Sequence, residues 1–131
     1  MIVLDTHALI WWVAGSSELS PKARRALQTA ARRRDLVASS ISIFEIATAV
    51  RRGRLELSVP LDTWLDALGH LPELTIYPVT EEISRLAGSL GEKLPGDPAD
   101  RLIASTALTL ECPLVTADAV LRAADHLQAI W

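Results

Sequence analysis

Ile2, Val3 and Leu4 form an unbroken apolar run closed by Asp5, as expected of a short strand buried on both faces. Thr6 is then placed to cap a helix whose apolar pattern starts at Ala8, Leu9, Trp11 and Trp12. Ser20-Pro21 set a cap and a first-turn proline ahead of KARRALQTAARRR, a second helix. Leu36 to Ser39 reads as a second strand. Ser42 opens a helix through Arg52, with Ile43, Ile46, Ala47 and Val50 on one face and Gly53 as its stop. A further helical pattern runs from Leu61 to Leu71, ahead of Pro72. Leu74 to Val79 reads as a third strand, and Thr80 caps the helix EEISRLAGSLG, whose first turn holds two glutamates. The Gly- and Pro-rich loop EKLPGDP follows. Pro98 or Ala99 begins a helix with Leu102, Ile103, Thr106, Ala107 and Leu110 facing inward. Leu114 to Thr116 is a fourth strand, Ala117 to Ala124 a short helix, and Gln128 to Trp131 a candidate last strand.

Strands alternating with helices over the whole length predict an α/β fold, one domain over residues 1–131, with a central parallel sheet flanked by helices. In such sheets, chemistry gathers at the carboxyl ends of the strands. Each connecting helix runs antiparallel to its strands, so helix N-termini reach the same edge.

Four acids fall at that edge. Asp5 ends the first strand, Glu45 follows Ser42 in what reads as a first turn, Asp100 follows Pro98, and Asp118 follows the fourth strand. Asp97 lies beside Asp100. Capping explains each one taken alone. Ser42-Ile43-Phe44-Glu45 fits a capping box, Asp97 fits an N-cap, and Asp118 fits a cap for the short helix after it. Asp5 is harder to explain this way, because a carboxylate ending an apolar strand is expensive to bury without a partner. Taken together, the acids present a charge problem. Two carboxylates ~5 Å apart at an effective dielectric of ~20 repel by roughly 3 kcal/mol. No lysine lies close in sequence to any of them. A divalent cation resolves the repulsion, and all-oxygen ligands select a hard ion, Mg²⁺ or Mn²⁺. Such an ion stabilises charge on a phosphodiester and lowers the pKa of bound water, so metal-assisted phosphodiester hydrolysis is the reaction suggested.

Composition narrows the setting. The 131 residues are 50% hydrophobic, which suits a packed globular core. No apolar run approaches the ~18 residues of a membrane span. No basic segment followed by a long apolar run opens the chain, so cytoplasmic residence is the expectation. Cys112 is the single cysteine and fits a small buried hydrophobe. A net charge of −3 argues against a strongly basic nucleic-acid domain. Yet Arg24-Arg25, Arg32 to Arg34, and Arg51-Arg52 with Arg54 form arginine clusters, which read either as solvated helix faces or as phosphate contacts.

The ordered stretches LDTHALIWW, SSISIFEIATAVRRGRLEL, DPADRLIASTAL, LVTADAVLR and the terminal AIW resemble the PIN-domain ribonucleases, in particular the VapC toxins of bacterial toxin–antitoxin pairs. Each motif is short, but their order and spacing cover nearly the whole chain. The resemblance implies a single-strand-specific endoribonuclease whose catalytic and metal-binding residues are Asp5, Glu45, Asp100 and Asp118. It implies supporting roles for Thr6, Asp97, Arg101 and Thr116. Thr116 matches a hydroxyl residue beside the last acid, Asp97 the helix cap, and Arg101 a residue paired with an acid or a phosphate. Gly96 stands where such toxins often carry arginine. The resemblance further implies Mg²⁺ or Mn²⁺, an RNA substrate, a homodimer, and a VapB-type antitoxin that occupies or obstructs the groove. The apolar LIWW helix and the arginine-rich AVRRGRLEL segment offer surface for those partners.

Two other readings remain. A phospho-acceptor receiver domain also combines a parallel sheet with an acid cluster. It needs an acid pair after the first strand and a lysine after a late one, whereas Asp5 has no acidic neighbour and the only lysines are Lys22 and Lys93. A non-catalytic PIN fold that binds RNA or protein is disfavoured by the intact acids. His7 near Asp5 reads as a structural histidine or a contact for metal or RNA. Trp11, Trp12 and Trp64 read as core, as a partner surface, or as stacking platforms. His70 and His126 have no visible constellation.

Overall fold

In the computed structural model, which describes residues 1–92, 94 and 96–131, β1 (Ile2–Leu4) is the middle strand of a five-stranded sheet. The order is β3-β2-β1-β4-β5, with β2 at Leu36–Ser39, β3 at Leu74–Tyr77, β4 at Leu114–Val115 and β5 at Ala129–Ile130. Every pairing is parallel. The chain winds outward from β1 through β2 to β3, then crosses back to lay β4 and β5 on the other side of β1. The direction of winding therefore reverses between β1 and β4, which is where open parallel sheets leave a ligand crevice.

The apolar run of β1 is explained by cover on both sides. Ile2 and Leu4 join Leu36 and Ala38 in a core closed by Leu9 of α1 (Thr6–Ala14), Leu27 of α2 (Pro21–Arg32), Ile46 of α3 (Ser40–Arg51) and Leu68 of α4 (Leu61–Gly69). Val3 points the other way and joins Val37 and Leu114, under Ile103 and Ala107 of α6 (Pro98–Thr109) and Leu121 of α7 (Ala119–Arg122). The helix α5 (Glu81–Ser89) packs on α6. Trp12 and Trp64 pack against the first core, and Cys112 against the second, where burial pushes its thiol pKa up.

The starts of α1 and α3 differ from the sequence expectation in ways that bear on the site. Asp5, not Thr6, caps α1, so Thr6 is the first helical residue. Ser39 caps α3, with its Oγ accepting the Ile41 N–H at 3.2 Å, and Ser42 lies buried inside the helix. Ser39 also ends β2 in register with Tyr77, so sheet pairing brings the chain to its turn there. Other boundaries shift slightly. β3 stops at Tyr77, because Pro78 has no N–H to donate to a ladder. α4 ends at Gly69 and α7 spans only Ala119–Arg122. α3 does stop at Gly53, whose φ of 70° is left-handed, with the Arg54 N–H returning to the Ala49 carbonyl at 2.8 Å. Of the expected loop at 92–98, Lys93 and Pro95 lie outside the described residues. Among the described residues, no helix is long and apolar enough to cross a membrane.

Candidate active site

Leu4 pairs with Val115, so Asp5 and Thr116 emerge side by side at the carboxyl edge. Asp5 is 8% exposed. Its Oδ1 accepts the Ala8 N–H at 2.8 Å, and the Thr116 side chain bonds the same carboxylate. Burial pushes the Asp5 pKa up, which these two hydrogen bonds and the nearby His7 oppose, while Asp118 adds a smaller upward push. Thr116 Oγ1 also accepts the Asp118 N–H at 3.1 Å. One fully buried hydroxyl thus ties Asp5 to the segment carrying Asp118. Asp118 in turn caps α7, with Oδ1 accepting from Val120 and Leu121 at 2.9 and 3.0 Å.

The first turn of α1 meets the second turn of α3. Thr6 Oγ1 donates to Glu45 Oε1 at 2.5 Å and lies 2.9 Å from Ser42 Oγ. A hydroxyl has one proton, so with the Thr6 proton on Glu45 it is Ser42 that donates to Thr6. The start of α3 at Ser40 removes the capping-box explanation for Glu45, because the first turn of this helix holds no acid. Its carboxylate is instead held at the sheet edge by a buried hydroxyl.

On α6, Asp97 caps the helix, and its Oδ1 accepts the Asp100 N–H at 3.1 Å. Asp100 is half-buried, and its pKa is pushed up to about 6, first by burial and then by Asp97, Glu45, Asp118 and Asp5. This one group feels all the other acids. The neighbouring Arg101 donates from Nε to the Ala87 carbonyl at 2.9 Å, from Nη1 to Gly91 at 3.3 Å, and from Nη2 to Leu90, so these nitrogens serve the backbone at the C-terminal end of α5. The guanidinium holds the start of α6, and with it Asp100, against α5.

Asp5, Glu45, Asp97, Asp100 and Asp118 line one cavity of about 430 Å³ with Thr6, His7, Trp11 and Ala117. A groove of about 660 Å³ adjoins it between α1 and α3, sharing Thr6, His7, Trp11, Glu45 and Asp97 and ending at Arg52, Arg54 and Leu55. The donor chemistry is all carboxylate oxygen, which suits a hard divalent ion. Among the described residues, no three acids close on a single point as ligands do. Uncompensated carboxylates repel, and a spread arrangement is their lower-energy state. Asp118 and Asp97 each cap a helix through Oδ1, so capping and facing the cavity coexist in one side chain.

Sequence reasoning missed Ser42 as a partner inside the site, having placed it at the helix cap. It considered His7 and Trp11 separately, and the structure places both on the cavity wall. The spacing of His7 and Trp11, one helical turn apart on the helix that starts at Asp5, was the available signal. His70 follows the last residue of α4 and folds back on that helix, with Nδ1 2.7 Å from the Asp66 carbonyl.

An acid-lined cavity beside the paired ends of β1 and β4, in a parallel sheet of this order, defines an α/β protein with a carboxylate-rich site at its carboxyl edge. The family model described as PIN domain matches residues 2–127. Ribonuclease VapC22 of Mycobacterium tuberculosis is 35% identical over 125 residues, covering 95% of this chain and 92% of that one. The structure of VapBC2 from Rickettsia felis bound to a DNA fragment from their promoter superposes with a TM-score of 0.71 at 21% identity, covering 98% of this chain and 97% of that one. A toxin–antitoxin complex from Klebsiella pneumoniae gives a TM-score of 0.64 at 17% identity, covering 97% and 95%. The chain belongs to the PIN domain family. Ribonucleases of this family depend in general on a divalent metal.

Proposed function

We propose that the protein is an endoribonuclease that hydrolyses phosphodiester bonds of single-stranded RNA, using Mg²⁺ or Mn²⁺ held by Asp5, Glu45, Asp100 and Asp118. The observation that carries this reading is the convergence of Asp5, Glu45, Asp97, Asp100 and Asp118 on one cavity at the carboxyl edge of the sheet. The 35% identity to a protein named as a ribonuclease, over nearly the full length of both chains, supports it. A bound ion of this kind supplies a Lewis acid for a phosphoryl oxygen and lowers the pKa of its water. Within the chain, the Thr116 hydroxyl and the Ala8 N–H orient Asp5, and the Thr6 hydroxyl orients Glu45. Asp97 holds the first turn of α6, which carries Asp100.

Its biological role in this reading is the toxin of a VapBC-type pair acting in the cytoplasm as a homodimer. The solved relatives described as VapBC2 and as a toxin–antitoxin complex support a VapB-type antitoxin partner. The groove between α1 and α3 gives such a partner a place beside the acids. Its walls include Ile10, Trp11 and Phe44, the last 66% exposed. Purified protein incubated with single-stranded RNA and Mn²⁺, with and without EDTA, tests the reading. Internal cleavage that EDTA abolishes is expected, and intact RNA under both conditions contradicts it.

A further inference from the structure

We propose that His7, held in place by Trp11, forms a stacking shelf for a nucleobase next to the scissile phosphate, an inference that rests on the ribonuclease reading above. The two residues lie one turn apart on α1 and so share a face of the helix. Their ring centroids are 5.6 Å apart at an interplanar angle of 41°. Trp131 backs Trp11 from the other side at 5.7 Å and 50°. Trp11 is half-buried and rests on the first core, so it is held in place, while His7 is exposed. Both line the acid cavity and the groove that adjoins it.

The rest of the cavity wall makes the assignment selective. It consists of five carboxylates, the occupied Thr6 hydroxyl and Ala117. Among the described residues, His7 and Trp11 supply its only aromatic surface. A phosphodiester that reaches the acids brings its two nucleosides with it. Carboxylates repel the neighbouring phosphates and offer no face to a base. An uncharged base with a π-face matches the shelf, and stacking of this kind tolerates any base identity. A base is free to turn onto the shelf only when it is unpaired, so the same contact selects single strands. His7 touches the base, and Trp11 and Trp131 are positioning residues behind it.

The test compares wild type, His7→Ala and His7→Phe on a labelled single-stranded RNA, with an abasic nucleotide walked along it. Cleavage with Mn²⁺ gives kcat and KM, and fluorescence anisotropy with Ca²⁺ in its place gives affinity. Wild type should bind one abasic RNA about fivefold or more weakly. His7→Ala should lose the same factor on intact RNA and nothing further on that abasic RNA, with KM moving more than kcat. His7→Phe should keep wild-type affinity. Losses that multiply, or a His7→Ala variant that matches wild type on intact RNA, overturn the shelf while cleavage keeps the ribonuclease reading in place. His7-dependent binding without cleavage supports the shelf and overturns that reading. RNA neither bound nor cleaved overturns both.

Discussion

Thr6 Oγ1 and Glu45 Oε1 are 39 residues apart in sequence and 2.5 Å apart in space, and this hydrogen bond joins the N-terminal ends of α1 and α3 across the cavity. The bond runs between a buried hydroxyl and a half-buried carboxylate, with Ser42 behind it. Thr6→Val keeps the shape, removes the donor and leaves the Ser42 hydroxyl without its partner. The expected outcome is about 1–3 kcal/mol of lost stability. Cleavage should fall ~10- to 100-fold, as when a partner that orients a ligand is removed. Thr6→Ser should keep most of the activity. Urea unfolding and single-turnover cleavage check both outcomes, and a Thr6→Val enzyme of undiminished activity would show that the hydroxyl does not orient Glu45.

Asp100 makes the metal-free protein sensitive to pH in a stated direction. Its pKa is about 6 when folded against an ordinary aspartate value of 3.8, so between these values the folded state holds more protons than the unfolded one. Stability therefore falls as pH rises through that window, and the penalty is complete above it. Asp5, also raised, acts with the same sign. In EDTA, the melting temperature of wild type relative to Asp100→Asn should decline from pH 4.5 to 7. Parallel curves for the two proteins would mean that burial and the neighbouring acids do not raise the Asp100 pKa.

Arg101 is expected to matter through structure. Its guanidinium donates to the Ala87, Leu90 and Gly91 carbonyls, and charged hydrogen bonds contribute about 1.5–3 kcal/mol each when buried, less at this half-buried position. Arg101→Met should destabilise by roughly 1–3 kcal/mol and lower cleavage by loosening the first turn of α6. If activity falls while the unfolding midpoint stays at the wild-type value, Arg101 acts on the substrate instead.

Among the described residues, two exposed non-glycine residues carry left-handed backbone, Arg34 at φ 56° and Glu111 at φ 52°, each between a helix and the strand that follows it. Left-handed backbone costs an L-residue roughly 1–2 kcal/mol, and glycine's extra freedom when unfolded takes back about 0.5–1. Glu111→Gly should therefore stabilise by about 0.5–1 kcal/mol with cleavage unchanged. Guanidinium unfolding reads the shift directly, and a lower midpoint would count against it.

Much of this arrangement is legible in the sequence, because apolar runs as short and unmixed as Ile2–Leu4 and Leu36–Ala38 fit little besides a doubly covered parallel sheet. Pro21 and Pro98 mark helix starts that the structure keeps. The start of α3 was not legible. Ser39, Ser40 and Ser42 are all competent caps, and the choice is made by the pairing of Ser39 with Tyr77 on a strand far along the chain. That choice moves Glu45 out of the first turn and changes its meaning. The same ambiguity hid the exchange of roles between Asp5 and Thr6, since either can cap α1. The direction of the Arg101 side chain depends on where α5 ends, and no local pattern contains that information.

The central claim, that Asp5, Glu45, Asp100 and Asp118 are the ligands for divalent metal, is tested most directly by thermal unfolding of wild type and Asp100→Asn with and without Mn²⁺. Without metal, Asp100→Asn relieves repulsion and should melt at the wild-type temperature or above it. With Mn²⁺ at a hundredfold excess over its dissociation constant, wild type should gain about 2.7 kcal/mol, and the variant much less. Equal metal-induced shifts in the two proteins would place the ion elsewhere and contradict the account.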